Sequence, residues 1–259
     1  QNEKGWLKDG KLIHRPNIGD VRMAEELRFK GDILHFVVSK LADGWYVSIT
    51  VELEEEIVPT DSETSVGIDV GIKHWAVASD GMVLDKPKAI PRLEKSLKHA
   101  QRELSRRRKG SKNRNKSRRR VARLHQRIRN AKIDAVHKFT TAIAKNHGVV
   151  CCENLCVKGM KRSMKPIRRG AQKSCMAELR MLLSYKCRNY VEIDRWFPSS
   201  KRCSKCGHVK DMLGLDERTY RCPECGFVID RDLNASINIR EEGLSIFTEG
   251  HSESACGGC

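Results

Sequence analysis

The chain has 259 residues, of which 39% are hydrophobic and 32% charged, with 50 Lys and Arg against 33 Asp and Glu and a formal net charge of +17. That length holds one large domain or two smaller ones around a substantial buried core. The charge asks for a polyanionic partner, either nucleic acid or an anionic membrane surface. No run of about 18 apolar residues is present, which excludes an apolar helix crossing a bilayer. No charged-then-apolar secretion signal opens the chain, and its start at Gln1 rather than Met suggests a fragment. Four of the eleven cysteines fall into a metal-type spacing, which favours a reducing cytosol over a secreted disulfide scaffold and makes the cytoplasm the expected location.

The first sixty residues read as β structure. Asp9-Gly10 and Asp43-Gly44 are hairpin turn signals. After the second, Trp45, Val47, Ile49, Val51 and Leu53 alternate with Tyr46, Ser48, Thr50 and Glu52, the period of a half-buried strand, and Ile33 to Ser39 is expected to pair with it. The acidic run Glu54-Glu55-Glu56 followed by Pro59, Asp61 and Ser62 reads as a linker, so a boundary is expected there. Residues 1–64 hold eight basic and thirteen acidic residues, so this opening segment is not the basic surface.

A second β unit follows at Ser65–Val70, His74–Ser79 and Met82–Leu84, with Asp80-Gly81 as the turn between the last two and Pro91 as its end. Two helices are expected next, from Arg92 to about Arg107 and from Arg118 to Asn146. The first has an apolar stripe of Leu93, Leu97, Ala100 and Leu104; the second has Val121, Leu124, Ile128, Ile133 and Val136. Residues 108–113 carry no apolar side chain and read as the loop of a basic helical hairpin, 92–146. Between Arg92 and Arg129 stand seventeen Lys and Arg against two Glu, an excess of 15 that leaves +2 for the rest of the chain. A solvated helix face normally mixes signs and this one does not. The expected nucleic-acid contacts are Arg102, Arg106, Arg107, Arg108, Lys109, Lys112, Arg114, Arg118, Arg119, Arg120, Arg123 and Arg127. A membrane surface is the lesser alternative, because the apolar stripe lacks interfacial aromatics.

Gly148 to Cys152 is a short apolar strand ending in Glu153. Lys158–Gly170 is polar, basic and expected to be mobile, Ala171–Cys187 returns to helical spacing, and Tyr190–Ile193 is a further strand. Then Cys203-x-x-Cys206-Gly and Cys222-x-x-Cys225-Gly stand fifteen residues apart. Two knuckles with two thiolates each make a tetrahedral zinc site, and four thiolates leave no open position for water, so the metal is structural. The bland alternative is free core cysteines. His208 reads as a surface residue. Cys151, Cys152, Cys156, Cys175 and Cys187 read as small buried hydrophobes, and Cys256-Gly-Gly-Cys259 as tail. The chain closes on a short helix from about Asp232 to Glu241 and a disordered tail, 242–259.

Asp69 interrupts the apolar strand Val66-Gly67-Ile68-Asp69-Val70-Gly71, and Glu153 ends another. A lone charge in a buried strand costs several kcal/mol unless it is paired or binds a metal. An ion pair or a solvent-facing edge explains either residue alone equally well. If the two strands are parallel neighbours, both carboxylates meet at the carboxyl ends, where open α/β sheets place their sites, with the basic hairpin as the crossover. A third carboxylate is available in Asp230-Arg231-Asp232-Leu233-Asn234-Ala235, where Asp230 reads as a helix cap. Clustered carboxylates raise one another's pKa and coexist with divalent cations. Two magnesium ions about 4 Å apart hydrolyse phosphodiesters.

Gly67-Ile68-Asp69-Val70-Gly71, Glu153-Asn154-Leu155 with Val157-Lys158-Gly159-Met160, the two CxxCG knuckles and Asp230-Arg231-Asp232-Leu233-Asn234-Ala235 stand in an order that resembles the TnpB family, the transposon-encoded OrfB-type proteins related to type V CRISPR effectors. The resemblance covers roughly residues 65–240, and residues 22–58 resemble the end of the family's amino-terminal β-barrel. It implies an α/β, RNase H-like (RuvC) mixed sheet over 65–241, with the basic hairpin inserted, a four-cysteine zinc ribbon at 199–229 and a partial β-barrel at 1–61. It implies Asp69, Glu153 and Asp232 as the magnesium-binding catalytic triad, and Cys203, Cys206, Cys222 and Cys225 as the zinc ligands. It also implies RNA-guided cleavage of DNA, with a guide RNA and a DNA target as partners. The family's amino-terminal portion, including a helical insertion and the part that reads the motif beside the target, is mostly absent. Two other functions therefore stand beside the first: a shortened transposition-associated DNA- or RNA-binding protein without cleavage, and a guide-free structure-specific nuclease.

Overall fold

The structure, a computed structural model, describes residues 6–8, 12–15, 19–27, 29–53, 62–155, 174–214 and 216–255. The Asp9-Gly10 turn, the 158–170 segment, Cys156, the 157–160 part of the family motif and Cys256–Cys259 lie outside them. The chain divides into two compact units, residues 1–58 and 59–259.

The first unit is built of antiparallel hairpins. Strands β1 (Trp6–Lys8), β2 (Leu12–Arg15) and β3 (Gly19–Arg22) form a three-stranded sheet, and β4 (Gly31–Lys40) pairs with β5 (Trp45–Leu53) in a separate ribbon. The Asp43-Gly44 turn closes the ribbon through Leu41 N–H to the Gly44 carbonyl, 2.9 Å. The alternation read in β5 holds in its middle, where Val47, Ile49 and Val51 are half-buried while Ser48, Thr50 and Glu52 are exposed; Trp45 and Leu53, expected on the same face, are exposed at the strand's ends.

The second unit is a five-stranded mixed sheet between helices. Its strands are β6 (Ser65–Asp69), β7 (Ala76–Ala78), β8 (Val83–Leu84), β9 (Val149–Glu153) and β10 (Asn189–Ile193), in the order β10-β9-β6-β7-β8. β6, β9 and β10 run parallel; β7 and β8 are antiparallel additions. Asp80-Gly81 makes the turn between β7 and β8, with Gly81 at φ +89°, a conformation that a Cβ penalises.

Helix α1 (Ala89–Arg106) and helix α2 (Lys112–Asn146) form the crossover from β8 to β9, and α1 packs on α2. Helix α1 starts before Pro91, which therefore lies in its first turn rather than ending the preceding unit; the N–H that proline lacks has no intrahelical partner there. Helix α2 begins six residues earlier than its apolar stripe predicts, because Ser111 caps it by accepting from Arg114 N–H at 3.2 Å. Helix α3 (Met176–Lys186) leads into β10, and α4 (Arg231–Ala255) closes the described chain. Strands β11 (Thr219–Arg221) and β12 (Val228–Asp230) form a small hairpin just before α4.

Alternation along the strands sorts the core into two faces. Val66, Ile68, Val150 and Cys152 pack with Val136, Phe139 and Ile143 of α2 and with Met176, Leu179 and Leu183 of α3. On the other face Cys151 and Ile193 pack against Ile239 of α4. Glycines let α4 lie that close: a Cβ at Gly67 would overlap the Ser236 carbonyl and the Arg240 backbone, and one at Gly243 would overlap Cys151. Gly243 corrects the expectation of a short last helix followed by a disordered tail. It is a contact residue inside α4, not a stop, and the helix runs on to Ala255. No helix among the described residues is long and apolar enough to cross a membrane.

Candidate active site and metal centre

Three chain segments deliver the acidic residues. Asp69 is the last residue of β6 and Glu153 the last of β9, and the parallel register that pairs Ile68 with Cys152 sets them side by side at the carboxyl ends. Asp232 stands in the first turn of α4, the helix that packs across β6 and β9. All three are half-buried. Asp69 keeps some accessible surface, but its carboxyl is densely surrounded by protein. Burial first, then the charges of Glu153 and Asp232, push its pKa well above the ordinary carboxylate value; Arg231 opposes and Asp230 adds. Burial also raises Glu153, against a hydrogen bond that Ser199 Oγ donates to its Oε1. Arg231 donates from Nε (3.2 Å) and Nη2 (3.1 Å) to Asp232 Oδ1. Asp230 is the helix cap: its Oδ1 accepts from Asp232 N–H (2.9 Å) and Leu233 N–H (3.1 Å).

The cluster therefore holds more negative charge than its protein cations balance. An all-oxygen donor set suits a hard divalent cation, and a divalent ion would favour the ionised forms that burial disfavours.

The four cysteines converge independently of that site. Their sulfurs lie within 4.8 Å of one another, with Cys203 Sγ to Cys225 Sγ at 3.7 Å and Cys206 Sγ to Cys222 Sγ at 3.6 Å. Ligands about 2.3 Å from a tetrahedral zinc stand about 3.8 Å apart, so these residues fit one. Gly207 (φ +78°) and Gly226 (φ +67°) adopt the left-handed turn at each knuckle, and Gly207 N–H and Gly226 N–H return to the carbonyls of Cys203 and Cys222. The amide of Cys225, with that of Glu224, holds the Cys222 thiol down to about 6 against desolvation. The imidazole of His208 stays outside the cluster. Tyr220 of β11, fully buried, packs with Cys203 and Cys222.

On the hairpin, Arg102, Arg106, Arg107, Arg108, Lys109, Lys112, Arg118, Arg119, Arg120, Arg123 and Arg127 are exposed, and Arg114 is half-buried. Arg107, Arg114 and Arg120 have work inside the hairpin. Glu103 accepts from Arg107 (2.9 Å) and Arg120 (3.2 Å), and Arg114 Nη1 donates to the carbonyls of Leu104 (2.9 Å) and Arg107 (3.0 Å). Sequence reasoning treated all twelve alike, because a basic run does not reveal which guanidinium meets a carbonyl across a turn.

Reasoning from sequence also missed four residues that hold the site. Gly67 permits the α4 crossing, Ser199 donates to Glu153, and Asn234 and Asn238 bind the segment that carries Ser199 and Arg202. The one signal for the asparagines is that Asn234 and Asn238 stand four apart and so share a face of the last helix.

The fold and site define an α/β domain with a half-buried carboxylate cluster and a four-cysteine knuckle pair joined to the helix that carries the third carboxylate. Residues 48–164 match the family model OrfB_IS605, probable transposase, and residues 177–239 match the TNB domain of Cas12f1-like proteins. Over these residues the chain is similar to the OrfB (TnpB) family that its motifs resemble. It is 39% identical over 244 residues to a "Putative RNA-guided DNA endonuclease" of Streptomyces pristinaespiralis, covering 92% of this chain and 58% of that protein. It is 31% identical over 268 residues to the "Putative RNA-guided DNA endonuclease InsQ" of Escherichia coli (strain K12), covering 96% and 65%. The chain thus spans about three-fifths of the length of these relatives. The Cas12f1 fold in a cryo-EM complex with sgRNA and target DNA superposes with a TM-score of 0.52 at 19% identity, over 79% of this chain and 44% of that one.

Proposed function

We propose that this chain is the nuclease-bearing part of an RNA-guided DNA endonuclease, with an RNase H-like (RuvC) domain that hydrolyses phosphodiesters in the cytoplasm. The observation that carries the reading is that Asp69, Glu153 and Asp232, from three distant segments, lie near enough for the charges of Glu153 and Asp232 to raise the Asp69 carboxyl. The strand order, three antiparallel strands extended by two parallel ones, supports the RNase H-like assignment, and the two small sheets of residues 6–53 support a partial β-barrel only as β structure.

In this reading the three carboxylates hold divalent cations, magnesium by the hardness of the donors. These supply Lewis acidity and an activated water for in-line displacement. Glu153 is oriented by Ser199, and Asp232 by Arg231 and the capped start of α4. Cys203, Cys206, Cys222 and Cys225 hold a structural zinc. The exposed arginines of α1 and α2 grip phosphates of DNA target or guide RNA, so affinity falls with salt, while base pairing with the guide reads sequence.

The test is to purify the chain, sequence any RNA that accompanies it, and assay matching DNA with Mg²⁺ present or chelated. Mg²⁺-dependent, guide-dependent cutting that disappears in Asp69→Asn supports the reading; undiminished cutting by that variant removes it. A second reading, nucleic-acid binding without cleavage, is favoured by the hairpin arginines alone, since their charge does not depend on the carboxylates. It is selected if binding falls on neutralising Arg118, Arg119 and Arg120 while no metal restores cutting. Cutting of branched DNA without RNA selects a guide-free nuclease instead.

A further inference from the structure

The segment Pro198–Ser204 touches both candidate metal sites. Its first part is one tight turn, with Lys201 N–H (3.0 Å) and Arg202 N–H (2.9 Å) both returning to the Pro198 carbonyl. At one end Ser199, 4% exposed, donates its hydroxyl to Glu153. At the other end Cys203 is a ligand of the four-cysteine cluster.

Two carboxamides of α4 clamp the segment between these ends. Asn234 Nδ2 donates to the Arg202 carbonyl (2.7 Å), and its Oδ1 accepts from Ser204 N–H (3.0 Å). Asn238 Nδ2 donates to the carbonyls of Ser199 (2.8 Å) and Arg202 (2.7 Å). Both side chains are buried, at 0% and 1% exposure. Asn238 Oδ1 is buried with no partner among the described residues. A carboxamide so placed costs free energy that a leucine would not; what it gains is the hold on two carbonyls of one turn. Asp232, two residues before Asn234, belongs to the same rigid helix end.

We propose, resting on the nuclease reading above, that this segment is a mechanical strap through which zinc in the four-cysteine site sets the geometry of the carboxylate site. Ser199 and Asn238 act as its positioning residues. Zinc fixes Cys203; Cys203 fixes the turn; the turn holds Glu153 by Ser199 and the Asp232 end of α4 by the two asparagines. Two of the three carboxylates therefore take their places from a metal that does no chemistry. Groups that orient metal ligands from outside the coordination shell typically contribute about 10–100-fold in metal affinity.

The test uses the full 259-residue chain and Mn²⁺ binding read by electron paramagnetic resonance, with zinc content and thermal unfolding measured in parallel. Asp69→Asn defines the binding that belongs to the carboxylate site. Ser199→Ala is expected to weaken that binding about 10–100-fold with zinc content and melting temperature unchanged, and Ser199→Thr to restore it. Asn238→Leu, which keeps the core filled, is expected to weaken it in the same range. Stripping zinc from the unmodified chain should do likewise while circular dichroism shows the sheet retained. Mn²⁺ binding that is lost in Asp69→Asn yet equal in the unmodified, Ser199→Ala and Asn238→Leu chains overturns the strap and leaves the nuclease reading standing. Absence of Asp69-dependent Mn²⁺ binding in the unmodified chain overturns both.

Discussion

The four-cysteine cluster and the carboxylate cluster are neighbours built by opposite means. The cysteines lie within 23 consecutive positions, and two local turns with a glycine each nearly complete their geometry. The carboxylates come from positions 69, 153 and 232 and meet only after a parallel crossover, a sheet register and a helix crossing have all formed. One site is specified by spacing and the other by topology. Spacing is robust to distant change, whereas a topological site inherits the faults of every contact beneath it.

The sharpest way to separate the two is Asp69→Asn. Cleavage of matching DNA should fall on the order of 10³-fold or more, the scale of deleting a group that handles transition-state charge, while zinc content measured by atomic absorption stays the same. Next in size is Cys206→Ser. It should release the zinc and open the 203–229 segment to limited proteolysis, because metal and fold are one equilibrium in such a module. By the strap described above, it should also weaken Mn²⁺ binding at a site it does not touch.

Gly67→Ala inverts that experiment. A methyl group there meets the backbone of Ser236 and Arg240, which cannot rotate away, so a loss of about 1–3 kcal/mol in urea unfolding is expected from overpacking. The knuckles should keep their zinc, and a ribbon that melted with the sheet would break the comparison. The smallest effect concerns pH. With divalent ions chelated, Asp69 holds its proton in the folded chain after the unfolded chain has released it. The contribution of Asp69 to stability should therefore be full below about pH 4 and be lost as pH rises through the raised pKa. The slope is on the order of 1 kcal/mol per pH unit, and Asp69→Asn should flatten it; equal slopes in the two proteins would contradict the buried, crowded carboxyl.

The same contrast explains what was legible in the sequence. The knuckles could be read outright. Asp69 and Glu153 were visible as charges set in apolar strands, and Asp230 as a cap. The assignment of the third carboxylate to Asp232 needed family resemblance, since a cap and a site residue two positions apart look the same in one sequence. Gly67 and Gly243 were not legible as contact residues because a glycine required by a neighbour 169 or 92 positions away carries no local mark. Ser199 and Asn238 escaped for the same reason: their partners, Glu153 and the backbone near Arg202, are distant in the chain. The helix bounds erred where single residues decide them, at Pro91, Ser111 and Gly243.

The cysteines outside the knuckles have a practical consequence. Burial pushes the thiols of Cys151 and Cys152 up to about 12 and those of Cys175 and Cys187 up to about 11, so at neutral pH they stay protonated and poorly nucleophilic. Of the knuckle cysteines, Cys206 and Cys225 are exposed while Cys203 and Cys222 are buried; the Cys222 thiol is held near 6 and that of Cys206 is pushed up to about 12. Among the described residues, peroxide or an alkylating reagent therefore meets sulfur first at the exposed pair Cys206 and Cys225 and last in the sheet. Storage damage among the described residues therefore begins at the knuckles and leaves the core looking pristine.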